Sequence, residues 1–466
     1  MPGVRDDQVS SDGFSGLIEE NRTLREKNEE LETLLNQDPY TGLPIRRLFD
    51  RHFDDVFLQA QESGTSLSVA MLRLDSSYAK IKNARDRSRV LLFKTILRIQ
   101  SVIGETLFQS DRLDEFLIVL PSVSGISEVV AIGERILNVV QQPHEQPAED
   151  ISFGCYIGFS VYPANGSSRE DLISNAEIAL EEAERWRLGS ILYTDQMGQR
   201  YRDRYEIDRR LSAAIDADFA EFEVYFQPFV DTEHRIRGAE ALIRWRNATL
   251  GAVSPARFIP IAEETGLIRQ IGQWVLFSAC RQVAEWHNRG FDDLFVSVNL
   301  SPSQFKQHDL IDRVKGVLSA VKLDGRFLKL ELTERTVMEN PESAIRKMRE
   351  LRDLGIRLSI DDFGTGYSSF SYLGKFPIDT LKIDKSFIDD VHTNLDNQEI
   401  VRAIISLARN IRIETLAEGV ENRGQRDFLY AEGCRFIQGY FYSKPVDSES
   451  FERLISGGGF LPGADA

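Results

Sequence analysis

Asp361 and Asp362 stand side by side at the end of the short run IRLSI, and a loop containing Gly364 and Gly366 follows in LSIDDFGTGYSS. Adjacent buried carboxylates repel, so they must take up protons or bind cations. A polar turn after a strand is the simpler reading of the same residues. Other strand-like runs end in a similar way. Glu240 lies in GAEALIRW with Arg244 beyond it, Asn299 ends LFVSVNL, and Glu331 lies in FLKLELT just before Glu334. Lys382 and Asp384 end DTLKID, Glu418 and Glu421 follow RIETLA, and Gln438 lies near the end of CRFIQGY. Any one of these serves as a helix cap or a turn residue. A carboxylate, amide or lysine at the end of strand after strand points instead to a shared site. Oxygen donors without a histidine cluster suit Mg²⁺ or Mn²⁺ better than Zn²⁺. Two such ions ~3.5–4 Å apart clamp a phosphoryl group for in-line attack. Asp361 would bridge them, Lys382 would orient a water or meet the charge at phosphorus, and Arg244 would pair with a phosphate oxygen. That chemistry is metal-dependent phosphoester hydrolysis, with the substrate still unnamed.

The elements that must carry these residues alternate. From about Tyr205 to Ile455 the candidate strands are EVYFQPFV, GAEALIRW, LFVSVNL, FLKLELT, IRLSID, DTLKID, RIETLAEGV and CRFIQGY, with helix-like stretches between them. Eight strands alternating with helices over ~250 residues imply a (β/α)₈-type barrel, whose site lies at the C-terminal strand ends. A doubly wound open sheet is the alternative. Ahead of this region, residues 38–196 mix strands (SLSVAMLRLD, EFLIVLPS, ISFGCYIGFSVYP) and helices (ISEVVAIGERILNVVQQ, REDLISNAEIALEEAERWR) in a second α/β domain of ordinary size. A charged helical connector over 197–210 joins the two. Residues 14–37 carry Leu17, Leu24 and Leu31 at heptad spacing, with Asn21, Asn28 and Leu35 at the companion position. This is a short coiled-coil seam whose asparagines would fix the register of a parallel dimer; a solvated amphipathic helix is the alternative. Residues 1–13 and 456–466 read as disordered or flexible ends.

The chain has 466 residues, 42% hydrophobic and 28% charged, and a formal net charge of −17. The acidic balance argues against a general nucleic-acid or anionic-membrane binder. The three cysteines, Cys155, Cys280 and Cys434, are far apart and form no CxxC pair, which fits a reducing compartment. No apolar run approaches the ~18 residues that cross a bilayer, and the polar start lacks a signal-peptide core, so a cytoplasmic protein is expected.

Over Tyr205 to Ile455 the segments EALIRW, FIPIAEETGLI, VNLSPSQF, LELTE, IDDFGTGYSSFSYL, LKIDKSFI, AEGVE and QGYFYSKP occur in order. Together they resemble an EAL-family cyclic di-GMP phosphodiesterase, with the domain at 211–455. The resemblance implies a TIM-like barrel that hydrolyses cyclic di-GMP to linear pGpG with two Mg²⁺ or Mn²⁺ ions. It implies Glu240, Asn299, Glu331 and Asp361 as ligands of the first metal, and Asp361, Asp362 and Glu418 at the second. Lys382 matches the lysine near the attacking water, and Glu334 the glutamate that holds the glycine-containing loop. Gln227 and Arg244 match substrate contacts; Asp384, Glu421 and Gln438 match further site positions. Arg335 departs from the pattern, where serine is common. The family also implies a homodimer through the barrel, which the heptad segment would support. The alternative is a cyclic di-GMP receptor or scaffold without turnover, which would be expected to have lost some of these residues.

Residues 38–196 resemble a GGDEF domain, the diguanylate cyclase fold, in degenerate form. DPYTGLPIRRLF matches its opening motif with Ile45 where asparagine is usual, and RLDEF (Arg112 to Phe116) stands in place of GGDEF. Arg112 and Leu113 carry side chains where glycines let the backbone approach a nucleotide. Arg73 in LRLD replaces a metal-binding aspartate, Glu184 stands where lysine is usual, and the RxxD inhibitory motif is absent from GETLFQSD. Cyclase activity is therefore not expected, Asp114 and Glu115 read as a polar hairpin, and GTP at this domain is a minor alternative. A regulatory or dimerisation role remains for it.

Overall fold

A computed structural model describes residues 36–75, 85–144, 152–364 and 370–457. The coiled-coil expectation for 14–37 falls almost wholly outside them, as do the first 13 residues and most of the tail. The chain divides into two compact units, Met1–Asp203 and Arg204–Ala466.

The first unit is a five-stranded sheet of β1 (Ser66–Leu74), β2 (Leu107–Gln109), β3 (Glu115–Val123), β4 (Cys155–Tyr162) and β5 (Ser190–Leu192), in the order β2-β3-β1-β4-β5. β1 runs antiparallel to both β3 and β4, and β5 alone is added in parallel, on β4. The central strand SLSVAMLRL reads as a continuous apolar run because both its faces are covered. Leu67, Val69 and Met71 face the helices Arg46–Ser63 and Arg169–Trp186, while Ala70, Leu72 and Leu74 face Arg85–Ile103 and Ile126–Val140. Gly158 in β4 sets how closely one helix can approach, since a Cβ there would meet Ala176 O and Leu180 N at 2.1 Å.

The second unit is a closed barrel of β6 (Phe222–Asp231), β7 (Ile236–Asn247), β9 (Phe295–Asn299), β10 (Leu328–Thr333), β11 (Arg357–Phe363), β12 (Thr380–Ile383), β13 (Glu414–Ala417) and β14 (Phe436–Ile437). The short β8 (Gly251–Val253) is a hairpin arm on β7. The order β6-β14-β13-β12-β11-β10-β9-β7 closes through the β6–β7 pair. All eight expected strands are there, inside a ring of helices. One connection departs from strand–helix alternation. β6 is antiparallel to both its neighbours, because only residues 232–235 separate it from β7. A parallel crossover needs a dozen or more residues, so four can only make a hairpin. The Asp231 carboxylate organises that turn, accepting from the N–H groups of Glu233 and Arg235 at 2.9 and 3.0 Å. The helical connector is longer than expected and runs from Asp195 to Asp216.

Inside the barrel, side chains lie in layers two residues apart along each strand. Phe229, Phe295, Leu416 and Phe436 form an apolar lower layer. Lys329 is fully buried beside them, with its Nζ 4.7 Å from the Phe295 ring centre and donating to Thr380 Oγ1 at 2.8 Å. Moving up two residues from Lys329, Thr380, Leu416 and Phe436 reaches Glu331, Lys382, Glu418 and Gln438. The sequence pattern thus places its polar residues on the barrel's inner face, one layer above the packing.

In the first unit, His144 is buried against Phe153, with Nε2 3.0 Å from Thr95 Oγ1 and 3.3 Å from Arg98. Burial, helped by the charges of Arg98 and Lys94, lowers its pKa from 6.5 to about 4. The unfolded chain therefore binds a proton between pH 6.5 and 4 that the folded chain refuses, and stability falls as pH drops through that window. Melting curves at stepped pH should show this loss, and His144→Gln should flatten it.

Candidate active site

Each β-strand brings its residue to the C-terminal mouth by register. Gln227 pairs with Glu240 across β6 and β7, Glu331 with Asn299 across β9 and β10, and Thr333 with Asp361 across β10 and β11. Carboxylate oxygens of Glu240, Glu331 and Glu418 come within 4.8 Å of one another. Lys382, only 1% exposed, sends its ammonium among them. It forms ion pairs with Glu331 and Glu418, and with Asp361 at 3.0 Å.

A hydrogen-bonded chain orients the opposite wall. Asn299 Nδ2 donates to Glu240 Oε1 at 2.6 Å, which leaves the Asn299 oxygen available. Gln438 Nε2 donates to Glu240 Oε2 at 2.6 Å and to Gln227 Oε1 at 2.9 Å. Gln227 in turn donates to Ser443 O. Glu334 is buried and its Oε2 accepts from the backbone N–H of Gly364 at 3.2 Å, so it holds the first residue after β11.

Asp362 departs from regular strand geometry. Its φ is +53°, and the β11–β12 register shifts between Ile360 and Phe363. Successive strand residues point to opposite faces, so a regular β11 would send one aspartate away from the barrel axis. The irregularity re-aims Asp362, which lies close enough to Asp361, Asp384 and Glu240 for their charges to add to burial in raising its pKa.

The electrostatics reflect crowding of like charge. Burial pushes Glu331 up to about 7; Lys382 opposes this, and Glu240 and Asp361 add to it. Burial likewise raises Glu418 well above the usual carboxylate range. For Lys382 burial acts downward, yet Asp361, Glu240, Glu331 and Glu418 together raise it well above an ordinary lysine. The ammonium stays charged, and more carboxyl groups surround it than one ammonium can pair. Glu418 Oε1 is buried and meets Lys382 as an ion pair without a hydrogen bond. Convergent carboxyl groups and an all-oxygen donor set fit hard divalent cations.

Four expected residues lie off this centre. Arg244 is half-buried, 5.5 Å from the Tyr225 ring centre, with Nη1 donating to the neighbouring carbonyl of Ile243. Asp384 caps the helix Lys385–Ile388 by accepting from Ser386 N–H. Glu421 is exposed and paired with Lys385, and Glu334 acts on the Gly364 backbone. One residue was missed: Ser297, fully buried, donates its hydroxyl to Glu331 Oε1. Its signal was available, since Ser297 sits two residues before Asn299 on the same face of β9.

Residues 208–445 match the EAL domain family, and residues 35–187 match the diguanylate cyclase GGDEF domain. The chain belongs to the EAL family, with a GGDEF domain ahead of the barrel. It is 35% identical over 435 residues to the signaling protein YkoW of Bacillus subtilis, covering 92% of this chain and 54% of YkoW. It is 32% identical to the bifunctional diguanylate cyclase/cyclic di-GMP phosphodiesterase MucR of Pseudomonas aeruginosa, covering 92% and 62%. With the cyclic di-GMP phosphodiesterase PdeR of Escherichia coli it shares 33% identity, covering 92% and 64%. The chain thus spans between about half and two thirds of the length of these relatives. The EAL barrel is also similar to a solved structure of the PaMucR phosphodiesterase in complex with c-di-GMP. That likeness has 38% identity and a TM-score of 0.50, covering 52% of this chain and 99% of that one.

In the GGDEF domain the RLDEF segment runs from the β2–β3 turn (Arg112–Asp114) into the start of β3 (Glu115, Phe116), and Gln109 Nε2 ties the turn by donating to Arg112 O at 2.6 Å. Arg73, at the end of β1, reaches Glu115 at 2.7 Å and Glu184 at 2.5 Å. A guanidinium therefore bridges β1, β3 and the helix Arg169–Trp186. Glu115 is buried, so removing the guanidinium leaves its charge unmatched. Arg73→Ala should destabilise this domain by about 3 kcal/mol in urea unfolding.

Proposed function

We propose that the EAL barrel hydrolyses cyclic di-GMP to linear pGpG in a reaction that depends on two Mg²⁺ or Mn²⁺ ions. The observation that carries this reading is the convergence of Glu240, Glu331 and Glu418 within 4.8 Å at the barrel mouth, with Asp361 and Lys382 beside them. The phosphodiesterases named among the relatives support the substrate. Glu240, Asn299, Glu331 and Asp361 would hold one ion, and Asp361, Asp362 and Glu418 the other. When bound, such ions activate water and stabilise charge on phosphoryl oxygens. Lys382 keeps an ammonium beside the reacting phosphate, where it offsets developing negative charge and fixes the carboxylates that surround it. Gln438 and Asn299 hold both oxygens of Glu240 in place, so that its charge meets the site without reorganisation. Arg244, at the rim, would pair with a phosphate oxygen. Gln227 would contact substrate, while Asp384 and Glu421 would shape the mouth around it.

The GGDEF domain is read as a regulatory or dimerisation module without cyclase activity. Arg73 stands where a metal ligand would be needed, and a cation repels Mg²⁺. Homodimerisation would use the barrel and the heptad segment. Deleting residues 1–37 should shift the mass measured by light scattering toward a monomer, and an unchanged mass would remove the heptad from the dimer.

The reading is tested by incubating the full chain with cyclic di-GMP and Mg²⁺ or Mn²⁺, and following pGpG by chromatography. Product should appear with metal and be abolished by a chelator. Asp361→Asn and Glu240→Gln should each lose more than the ~10–100-fold that outer partners of a metal site cost, while Ser297→Ala should stay within that range. Tight binding of cyclic di-GMP with no product would overturn the phosphodiesterase and leave a receptor.

A further inference from the structure

A second feature borders the carboxylate centre. A cleft of about 1010 Å³ opens beside Asp362, lined also by Glu263, Lys306, Glu334, Arg335 and Glu339, with Pro302 and Met338 as its apolar part. It lies over the ends of β10 and β11, where Thr333 and Asp361 are register partners. Arg335 is exposed, but its backbone is fixed on both sides, because Glu334 and Thr336 are buried. Lys306 is engaged with Glu339 at 2.7 Å. Among the described residues Arg335 has neither an ion pair nor a hydrogen bond. An exposed arginine with no protein partner among the described residues, at the edge of the carboxylate centre, is free to turn its five donors to a ligand in the cleft.

The charge of the lining decides what that partner is. Glu263, Glu334, Glu339 and Asp362 outnumber Lys306 and Arg335, so a phosphate would meet net repulsion in this cleft. A guanine base is neutral and mixed in character. Its O6 and N7 accept, matching the paired donors of a guanidinium, while its N1–H and amino group donate and would meet carboxylates. Pro302 and Met338 offer apolar surface to the ring face. Adenine carries an amino donor where guanine carries O6, so the same guanidinium would oppose it.

We propose that Arg335 reads the O6/N7 edge of one guanine of the substrate and so selects guanine over adenine dinucleotides. This rests on the phosphodiesterase reading above. The test measures kcat and KM for cyclic di-GMP with the full chain, Arg335→Ala and Arg335→Lys, and inhibition of each by cyclic di-AMP. Arg335→Ala should raise KM ~10-fold with kcat within about twofold, and should narrow the preference over cyclic di-AMP by a similar factor. Arg335→Lys keeps the charge without the paired donors and should lose the same selectivity. An unchanged KM, an equal loss for both dinucleotides, or wild-type selectivity in the lysine variant would each overturn the assignment. If the unaltered chain releases no pGpG, the phosphodiesterase reading is what fails. Competition binding of the two dinucleotides to the same three proteins then decides the role of Arg335 by the same criteria.

Discussion

The barrel's chemistry depends on a single buried ammonium. Lys382 sits among Glu331, Asp361 and Glu418, and the charge of Glu240 also acts on it. Without a cation there, carboxylates from four strands would repel across a dry interior and would have to protonate. With it, the strand ends can be drawn together around one ammonium, with more carboxyl groups than that ammonium can pair. Several carboxyl groups around one ammonium are an open cluster rather than a closed salt bridge. The lower layer of Phe229, Phe295, Leu416 and Phe436 has a matching part, because it seals the barrel beneath the charges and keeps their field undiluted by water.

The GGDEF domain answers a similar problem with the opposite outcome. There a guanidinium meets Glu115 on its own sheet and Glu184 on the flanking helix. Arginine's planar fork satisfies two carboxylates at once. The two departures from the family pattern, Arg73 and Glu184, are of opposite sign and meet each other.

Much of the barrel was legible because its signals are local. Strand runs, the period of two that puts Glu331 above Lys329 and Glu418 above Leu416, and residue types at strand ends all lie within a few positions of each other. Strand direction is not local. EVYFQPFV reads the same in either orientation, and only the four-residue gap to β7 forces it antiparallel. Ser297 escaped for a different reason: serine in a short segment more often marks a turn or cap than a partner for a buried carboxylate. The Arg73 tie joins residues 42 and 111 positions apart, a distance across which spacing carries no information. Arg335 was visible as a departure, but its meaning needed the cleft that only the fold creates.

The adjacent aspartates show most clearly how sequence and fold constrain each other. A regular strand can aim one of two neighbours inward, never both. Placing both at one mouth therefore requires breaking the strand, and β11 does so with a register shift and a left-handed residue at position 362. Side chains other than glycine pay roughly 1–2 kcal/mol for that conformation, and aspartate and asparagine are the ones that adopt it most readily. So the residue type that chemistry wants at 362 is also one that the backbone there tolerates. Glu334 then holds Gly364, two residues on, where φ is +98° and a side chain would be strained. The pair of charges, the bent strand and the anchored glycine are one arrangement, and none of the three is explained without the other two.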